Sequence, residues 1–107
     1  MGFNMQKMMK QVQKMQTDMA RMQEELKDMT VEATAGGGMV KVIANGKQEI
    51  VSIKIEKAVI DPEDAEMLED MVLAAVKEAQ RLSAEMSGEE MQKITGGMNL
   101  PNMPGLF

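Results

Sequence analysis

The sequence of 107 residues contains no cysteine and no histidine. The absence of cysteine excludes disulfides, thiol nucleophiles and thiolate zinc sites, and the absence of histidine removes the commonest general base and metal ligand. There is no tryptophan or tyrosine and there are only two phenylalanines, so the chain lacks an aromatic surface for stacking single-stranded bases. We therefore predict an interaction protein that is no enzyme and needs no cofactor, no metal and no small-molecule substrate.

Long apolar runs are also missing. The longest run, residues 71–76, is far too short to cross a bilayer, and the N-terminus lacks the apolar region of a signal peptide. From these features we expect a cytoplasmic protein that does not span a membrane. The length fits one domain, which we predict over residues 1–95. Residues 96–107 contain Gly96, Gly97, Pro101 and Pro104, and they predict a flexible tail.

Charge is distributed unevenly along the chain, whose formal net charge is -5. Residues 1–27 carry five basic and three acidic residues, whereas residues 58–107 carry three basic and ten acidic ones. One end of the molecule could therefore meet a polyanion that the other end repels. Binding to nucleic acid must depend on local charge, because the chain as a whole is acidic.

The first third of the sequence has apolar residues at alternating spacings of three and four. They are Met5, Met8, Val12, Met15, Met19, Met22, Leu26 and Met29. This a/d heptad pattern, uninterrupted by proline or glycine, predicts a long N-terminal helix with one apolar seam. We expect Met15, Met19 and Met22 to pack within the protein or its dimer. Binding of Cu(I) by the thioethers is a weaker alternative, because soft metal sites usually also recruit cysteine or histidine.

A row of basic residues accompanies this seam. Lys7, Lys14 and Arg21 recur every seven residues and so lie on one side of the helix, about 10.5 Å apart, with Lys10 beside them. A row of isolated cations suits the phosphates of double-stranded DNA, which can be bound without reading the sequence. Two alternatives remain open, namely an anionic membrane surface and a protein partner whose groove accepts the methionine seam.

The segment after the helix predicts a three-stranded antiparallel meander. The first strand is expected over residues 30–35 and the second over about residues 39–44, joined through three consecutive glycines. Asn45-Gly46 is the favoured pair for a two-residue type I′ turn, so a third strand over about residues 47–56 should follow.

Alternation along the third strand predicts one apolar face made by Val51, Ile53 and Ile55. We expect these residues, with Val40 and Val42 of the second strand, to pack in the core or in a dimer interface. The apolar surface is more than one copy of so small a domain can cover, which favours a homodimer.

A second helix is signalled by Asp61-Pro62, with the aspartate as N-cap and the proline at the first helical position. Its apolar positions continue to about Ser87, and Gly88 is expected to end it. A short C-terminal helix would then cover residues 89–94. The predicted fold class is α+β, with a long N-terminal helix, the meander, and a second long helix.

Taken together, these segments resemble the YbaB/EbfC nucleoid-associated proteins over nearly the whole chain. The resemblance rests on the Met/Gln/Lys-rich first helix and on the segments Gly38-Met39-Val40-Lys41-Val42, Val51-Ser52-Ile53-Lys54-Ile55, Asp61-Pro62-Glu63-Asp64-Ala65-Glu66-Met67-Leu68-Glu69-Asp70 and Gly96-Gly97-Met98-Asn99-Leu100-Pro101. The run from Glu66 to Asp70 and the glycine-rich tail are its most specific parts.

The resemblance implies a small bacterial DNA-binding protein of the nucleoid that affects nucleoid organisation or gene expression. It would be a homodimer formed through its central sheet region, and its projecting helices would grip duplex DNA. DNA binding is then expected at Lys7, Lys10, Lys14 and Arg21, which the charge pattern also selects, and at Lys77 and Arg81 of the second helix. A protein partner in DNA metabolism is a further expectation.

Overall fold

A computed structural model of the protein describes residues 4–97. Two helices and a three-stranded antiparallel sheet of order β1-β2-β3 form the fold. The elements are α1 (Met5–Leu26), β1 (Thr30–Ala35), β2 (Val40–Asn45), β3 (Ile50–Ile55) and α2 (Ala65–Gly97), with two short 3-10 turns before α2. The predicted α+β meander is confirmed. Among residues 4–97 no helix is both long and apolar enough to cross a bilayer. Of the predicted tail, residues 98–107 lie outside the described part.

The core lies between the first half of α2 and one face of the sheet. Val40, Val42 and Ala44 alternate along β2 and are fully buried on that face. They meet Ala75 and Ala79 of α2, whose small side chains let the helix approach the strands closely. The helix lies mainly over β1 and β2, so β3 remains largely uncovered.

The β2–β3 turn is not the predicted two-residue type I′ turn. It is a three-residue loop in which the Gln48 amide donates to the Asn45 carbonyl at 3.1 Å and Gln48 has a φ of 63°. The Asn45 side-chain oxygen accepts from the amides of Lys47 and Glu49 at 2.9 and 3.2 Å. Gly46 instead allows the turn to lie close to the end of α1, where the Gly46 amide donates to the Leu26 carbonyl at 2.8 Å. Contact with α1 therefore overrides the local turn preference.

This close approach predicts that Gly46→Ala destabilises the protein. A Cβ atom at Gly46 would lie 2.5 Å from Leu26 Cδ2 and 2.9 Å from the Leu26 carbonyl oxygen. Overpacking of this kind costs about 1–3 kcal/mol of unfolding free energy, measurable by urea denaturation. Gly88→Ala is the matched control: a Cβ there meets no atom within 4 Å, and alanine should stabilise the helix by about 1 kcal/mol. Equal stabilities of the two variants would contradict the packing described here.

The prediction that α2 stops at Gly88 is wrong, and so is the separate short helix after it, because α2 continues to Gly97. A glycine inside a helix costs only about 1 kcal/mol, and Glu89, Glu90 and Met91, which follow Gly88, are good helix formers. Asp61 caps the second 3-10 turn, where its side chain accepts from the Glu63 amide at 2.9 Å, and the α-helix itself begins at Ala65.

The outer part of α2 pairs with α1 and projects from the sheet. At the sheet, Leu26 lies against Gly46, and the buried Ser83 hydroxyl donates to the Asn45 carbonyl at 2.6 Å. Farther out, Lys14 and Ile94 line the same cleft, so the two helices run in opposite directions. We call α1 with residues 84–97 the arm; it gives the molecule its elongated dimensions of 75 × 26 × 16 Å.

Candidate nucleic-acid interface

The outer end of the arm is a cluster of positive charge. We define the arm tip as residues 4–17 and 91–97, and it contains four lysines and no acidic residue. They are Lys7, Lys10, Lys14 and Lys93, and all four are exposed. The remainder of the chain carries eight basic and seventeen acidic residues. The fold therefore concentrates positive charge at one end of an otherwise acidic molecule.

The first turns of α1 hold lysines that lack neutralising partners. Asn4 caps the helix, its side-chain oxygen accepting from the amides of Gln6 and Lys7 at 3.0 and 3.3 Å. Within residues 4–97 no carboxylate forms an ion pair with Lys7 or Lys10. Like charges three and four residues apart repel each other on a helix, at a few tenths of a kcal/mol per pair. An anion placed beside this face would relieve that repulsion.

Toward the sheet, the basic row meets acidic residues. Lys14 Nζ lies 3.3 Å from Asp18 Oδ2, and an Arg21 guanidinium nitrogen lies 3.2 Å from Asp18 Oδ1. Arg21 also approaches Glu25 at 3.8 Å. Such exposed pairs add little stability and can exchange partners, but they balance the charge of Arg21. The row is therefore strongly cationic at Lys7 and Lys10 and nearly neutral at Arg21.

The two candidates on α2 lie outside the arm. Arg81 binds Glu78 at 2.6 Å and Glu85 at 3.0 Å. The hydrogen bond from Arg81 lowers the pKa of Glu78 and raises the pKa of Arg81 itself. Lys77 is exposed and has no ion-pair partner among the described residues. Sixteen residues of helix separate Lys77 from Lys93, or about 24 Å, so the fold does not bring these two candidates to the tip.

Lys93 is a tip residue that reasoning from the sequence missed. Packing of α1 on α2 brings it to a cleft that Lys14 and Arg21 also line. Its ammonium binds Glu90 at 2.9 Å, and this hydrogen bond raises the pKa of Lys93. The sequence does contain a signal for this position of Lys93. The apolar spacing continues through Met91 and Ile94, which indicates that α2 extends past Gly88 and brings Lys93 opposite Lys14.

The predicted packing residues fall into two groups. Met22, Val40 and Val42 are buried, and Met15 and Met19 are half-buried. In contrast, the three residues of β3 are exposed in the single chain: Val51 by 58%, Ile53 by 46% and Ile55 by 37%.

A bulge interrupts the alternation predicted along β3. Ser52 pairs with Ile43 and Ile50 with Ala44, which leaves Val51 between two paired residues. Beside the strand, an apolar groove runs between β3 and α2; it is lined by Ile55, Leu68, Glu69, Val72, Leu73 and Val76. We call Val51, Ile53, Ile55 and this groove the β3 face.

Comparisons with known proteins agree with this architecture. The model of the YbaB/EbfC DNA-binding family matches residues 1–98. A nucleoid-associated protein of Pelotomaculum thermopropionicum is 61% identical over 107 residues, which cover 100% of this chain and 99% of that protein. One from Moorella thermoacetica is 64% identical over 98 residues, 92% and 94% of the two chains. The crystal structure of an uncharacterised Helicobacter pylori protein shares the fold, with a TM-score of 0.72, 21% identity, and coverage of 92% of this chain and 100% of that one.

Proposed function

The chain belongs to the YbaB/EbfC DNA-binding family, and on that premise we propose that it is a nucleoid-associated protein that binds double-stranded DNA through phosphate contacts. The observation that carries the proposal is the arm tip, with four lysines, no acidic residue and no ion-pair partner for Lys7 or Lys10 among residues 4–97. An acidic molecule that keeps one acid-free basic end presents that end to a polyanion.

Lysine chemistry favours contact with the DNA backbone over reading of bases. Each ammonium is a compact charge on a flexible stem, so it can follow phosphates whose positions vary. Phosphate contacts carry no sequence information, and residues 4–97 contain no aromatic side chain on which a base could stack. We therefore expect the protein to bind duplexes of different sequence with similar affinity. The affinity should be modest, because the acidic remainder of the chain repels DNA. Binding of this kind would affect nucleoid organisation or gene expression.

A homodimer formed through the β3 face would bind DNA more tightly than a single chain. Ile53 and Leu73 expose 46% and 54% of their surface in the single chain, and a twofold copy of the same face could cover both. Two arms would then project from one dimer and present eight tip lysines. Linked arms also gain avidity that one arm lacks, which would let the dimer clamp a duplex.

A salt titration tests this function. Fluorescence anisotropy of a labelled random duplex should give log K falling linearly with log[salt], with a slope of about -7 if all eight lysines of a dimer meet phosphates. A second duplex of the same length and unrelated sequence should bind with nearly the same affinity. Absence of binding at low salt, or binding that does not respond to salt, would overturn the phosphate mechanism.

The exposed methionines at the start of α1 favour a second candidate function. Met5 and Met9 expose 65% and 60% of their surface, as a helical ligand for a protein groove would. A protein partner in DNA metabolism recruited this way would remain bound to the chain after nuclease treatment. Loss of the partner on nuclease treatment would instead place DNA between the two proteins.

A further inference from the structure

The two helices of the arm meet the sheet at the β2–β3 turn. Leu26, at the end of α1, lies against this turn, and its carbonyl accepts from the Gly46 amide at 2.8 Å. Ser83 of α2 reaches the same turn: its hydroxyl donates to the Asn45 carbonyl at 2.6 Å and accepts from the Gln48 amide at 3.1 Å. We call these five residues the arm joint. One turn therefore holds both helices of the arm.

Ser83 continues the face of α2 that packs on the sheet. Ala75, Ala79 and Ser83 recur every four residues, and all three are 0% exposed. The two alanines contact the strands through nonpolar side chains alone. Within residues 4–97, the hydrogen bonds of Ser83 are the only ones from an α2 side chain to another element. A nonpolar contact lets a helix roll on a sheet, whereas hydrogen bonds to fixed backbone groups require one geometry.

The turn that receives Ser83 is itself held in one conformation. Asn45 is 6% exposed, and its side-chain amide donates to the Glu49 carboxylate at 2.8 Å. Its side-chain oxygen accepts from the backbone amides of Lys47 and Glu49. The left-handed conformation of Gln48 is uncommon for a residue other than glycine. The Ser83 hydroxyl thus contacts backbone groups whose positions are set by the turn.

We propose that Ser83 is a positioning residue that holds the arm in one direction relative to the sheet, and so sets the spacing of the two arm tips in the dimer. The consequence for DNA rests on the proposed function, whereas the direction of the arm does not. Lys7 lies nineteen residues from Leu26 along α1, or about 29 Å from the joint. At this distance a tilt of about 10° would move Lys7 by about 5 Å, farther than the length of an ammonium–phosphate hydrogen bond.

The lack of cysteine in the chain allows spin labels at chosen positions to report the direction of the arm. The labels are placed at Gln13→Cys on the arm and Thr34→Cys on β1, because both residues are exposed. Double electron–electron resonance then measures the distance between arm and sheet, with a large excess of unlabelled chain so that each dimer carries one labelled pair. In Ser83→Ala the distance distribution should be about twice as wide or more, because the last fixed contact of α2 with the turn is lost.

Two controls separate the arm joint from loss of a hydroxyl and from loss of stability. Ser87→Ala removes a hydroxyl one turn farther along α2, which forms no hydrogen bond within residues 4–97. Val40→Ala removes buried volume from the core at the opposite end of β2, and so lowers stability without touching the turn. Both controls should keep the distribution of the unaltered chain. A distribution in Ser83→Ala no wider than in these controls would overturn the proposal.

The duplex titration tests the consequence for DNA. Ser83→Ala keeps every lysine and the β3 face, so affinity should fall about 3- to 10-fold, solely because the second arm meets its phosphates less often. On the background of Ile53→Glu, whose charge on the β3 face separates the dimer, Ser83→Ala should leave affinity unchanged. An equal effect on both backgrounds, whether a loss or none, would overturn the role in spacing the tips. If the unaltered protein binds no DNA, the proposed function fails, and the label distances still decide whether Ser83 holds the arm.

Discussion

Replacing Lys7, Lys10 and Lys14 together by glutamate is expected to weaken binding to duplex DNA by about 10³-fold or more at low salt. In a dimer the change removes six phosphate contacts and places six negative charges at the arm tips. The fold should survive, because all three side chains are exposed and Lys7→Glu, in the first turn of α1, complements the helix dipole. The Lys14–Asp18 pair that is lost is exposed and contributes little stability. Anisotropy titration measures the loss of affinity, and circular dichroism checks that the helices are intact.

A matched triple variant separates local charge from net charge. Lys27, Lys47 and Lys57 are exposed, form no ion pair among the described residues, and lie outside the arm tip. Their replacement by glutamate changes the net charge by the same amount, from -5 to about -11. We expect this variant to lose less than about tenfold in affinity, through long-range repulsion alone. If both triple variants lose affinity equally, the net charge governs binding and the tip does not.

The sequence contains enough information to predict α1 but not to predict where its seam is buried. The heptad spacing is the same from Met5 to Leu26, yet exposure of the seam falls from 65% to 1% along it. That difference depends on elements distant in sequence, because α2 lies beside Met22 and the β2–β3 turn at Gly46 lies against Leu26. Local periodicity specifies a face of a helix, whereas tertiary packing decides how much of the face is covered.

The charged candidate residues also divide into those whose contacts follow from local sequence and those whose position depends on tertiary packing. The pairs of Arg81 with Glu78 and Glu85 follow from helical spacings of three and four and could have been read from the sequence. Lys93, in contrast, reaches the tip only because α2 continues through Gly88 and packs against α1. The turn at Gly46 is a similar case, because the Asn-Gly preference is local and the contact with Leu26 that overrides it is not.

A single charge on the β3 face is expected to convert the proposed dimer to a monomer. Ile53→Glu places a carboxylate where the proposed dimer excludes water, and a buried unpaired charge costs several kcal/mol. Ile53 is 46% exposed in one chain, so the monomer can still hydrate the carboxylate. Analytical ultracentrifugation should give about 11.8 kDa for the variant and twice that mass for the unaltered protein. Leu73→Glu tests the same face from α2, where no strand pairing is at risk.

Lys54→Gln is the control for this variant, because it changes the charge by the same amount at the next residue. Lys54 pairs with Lys41 across the sheet, next to the strand position of Ile53 and on the opposite face, so the dimer should persist. If the β3 face joins two arms into a clamp, Ile53→Glu should lower DNA affinity by about 10²–10⁴-fold through lost avidity. Its salt slope should halve, to about -3.6, because each monomer retains four tip lysines. A monomeric variant with full affinity would show that one arm suffices, and the clamp would then be wrong although the tip remains the binding site.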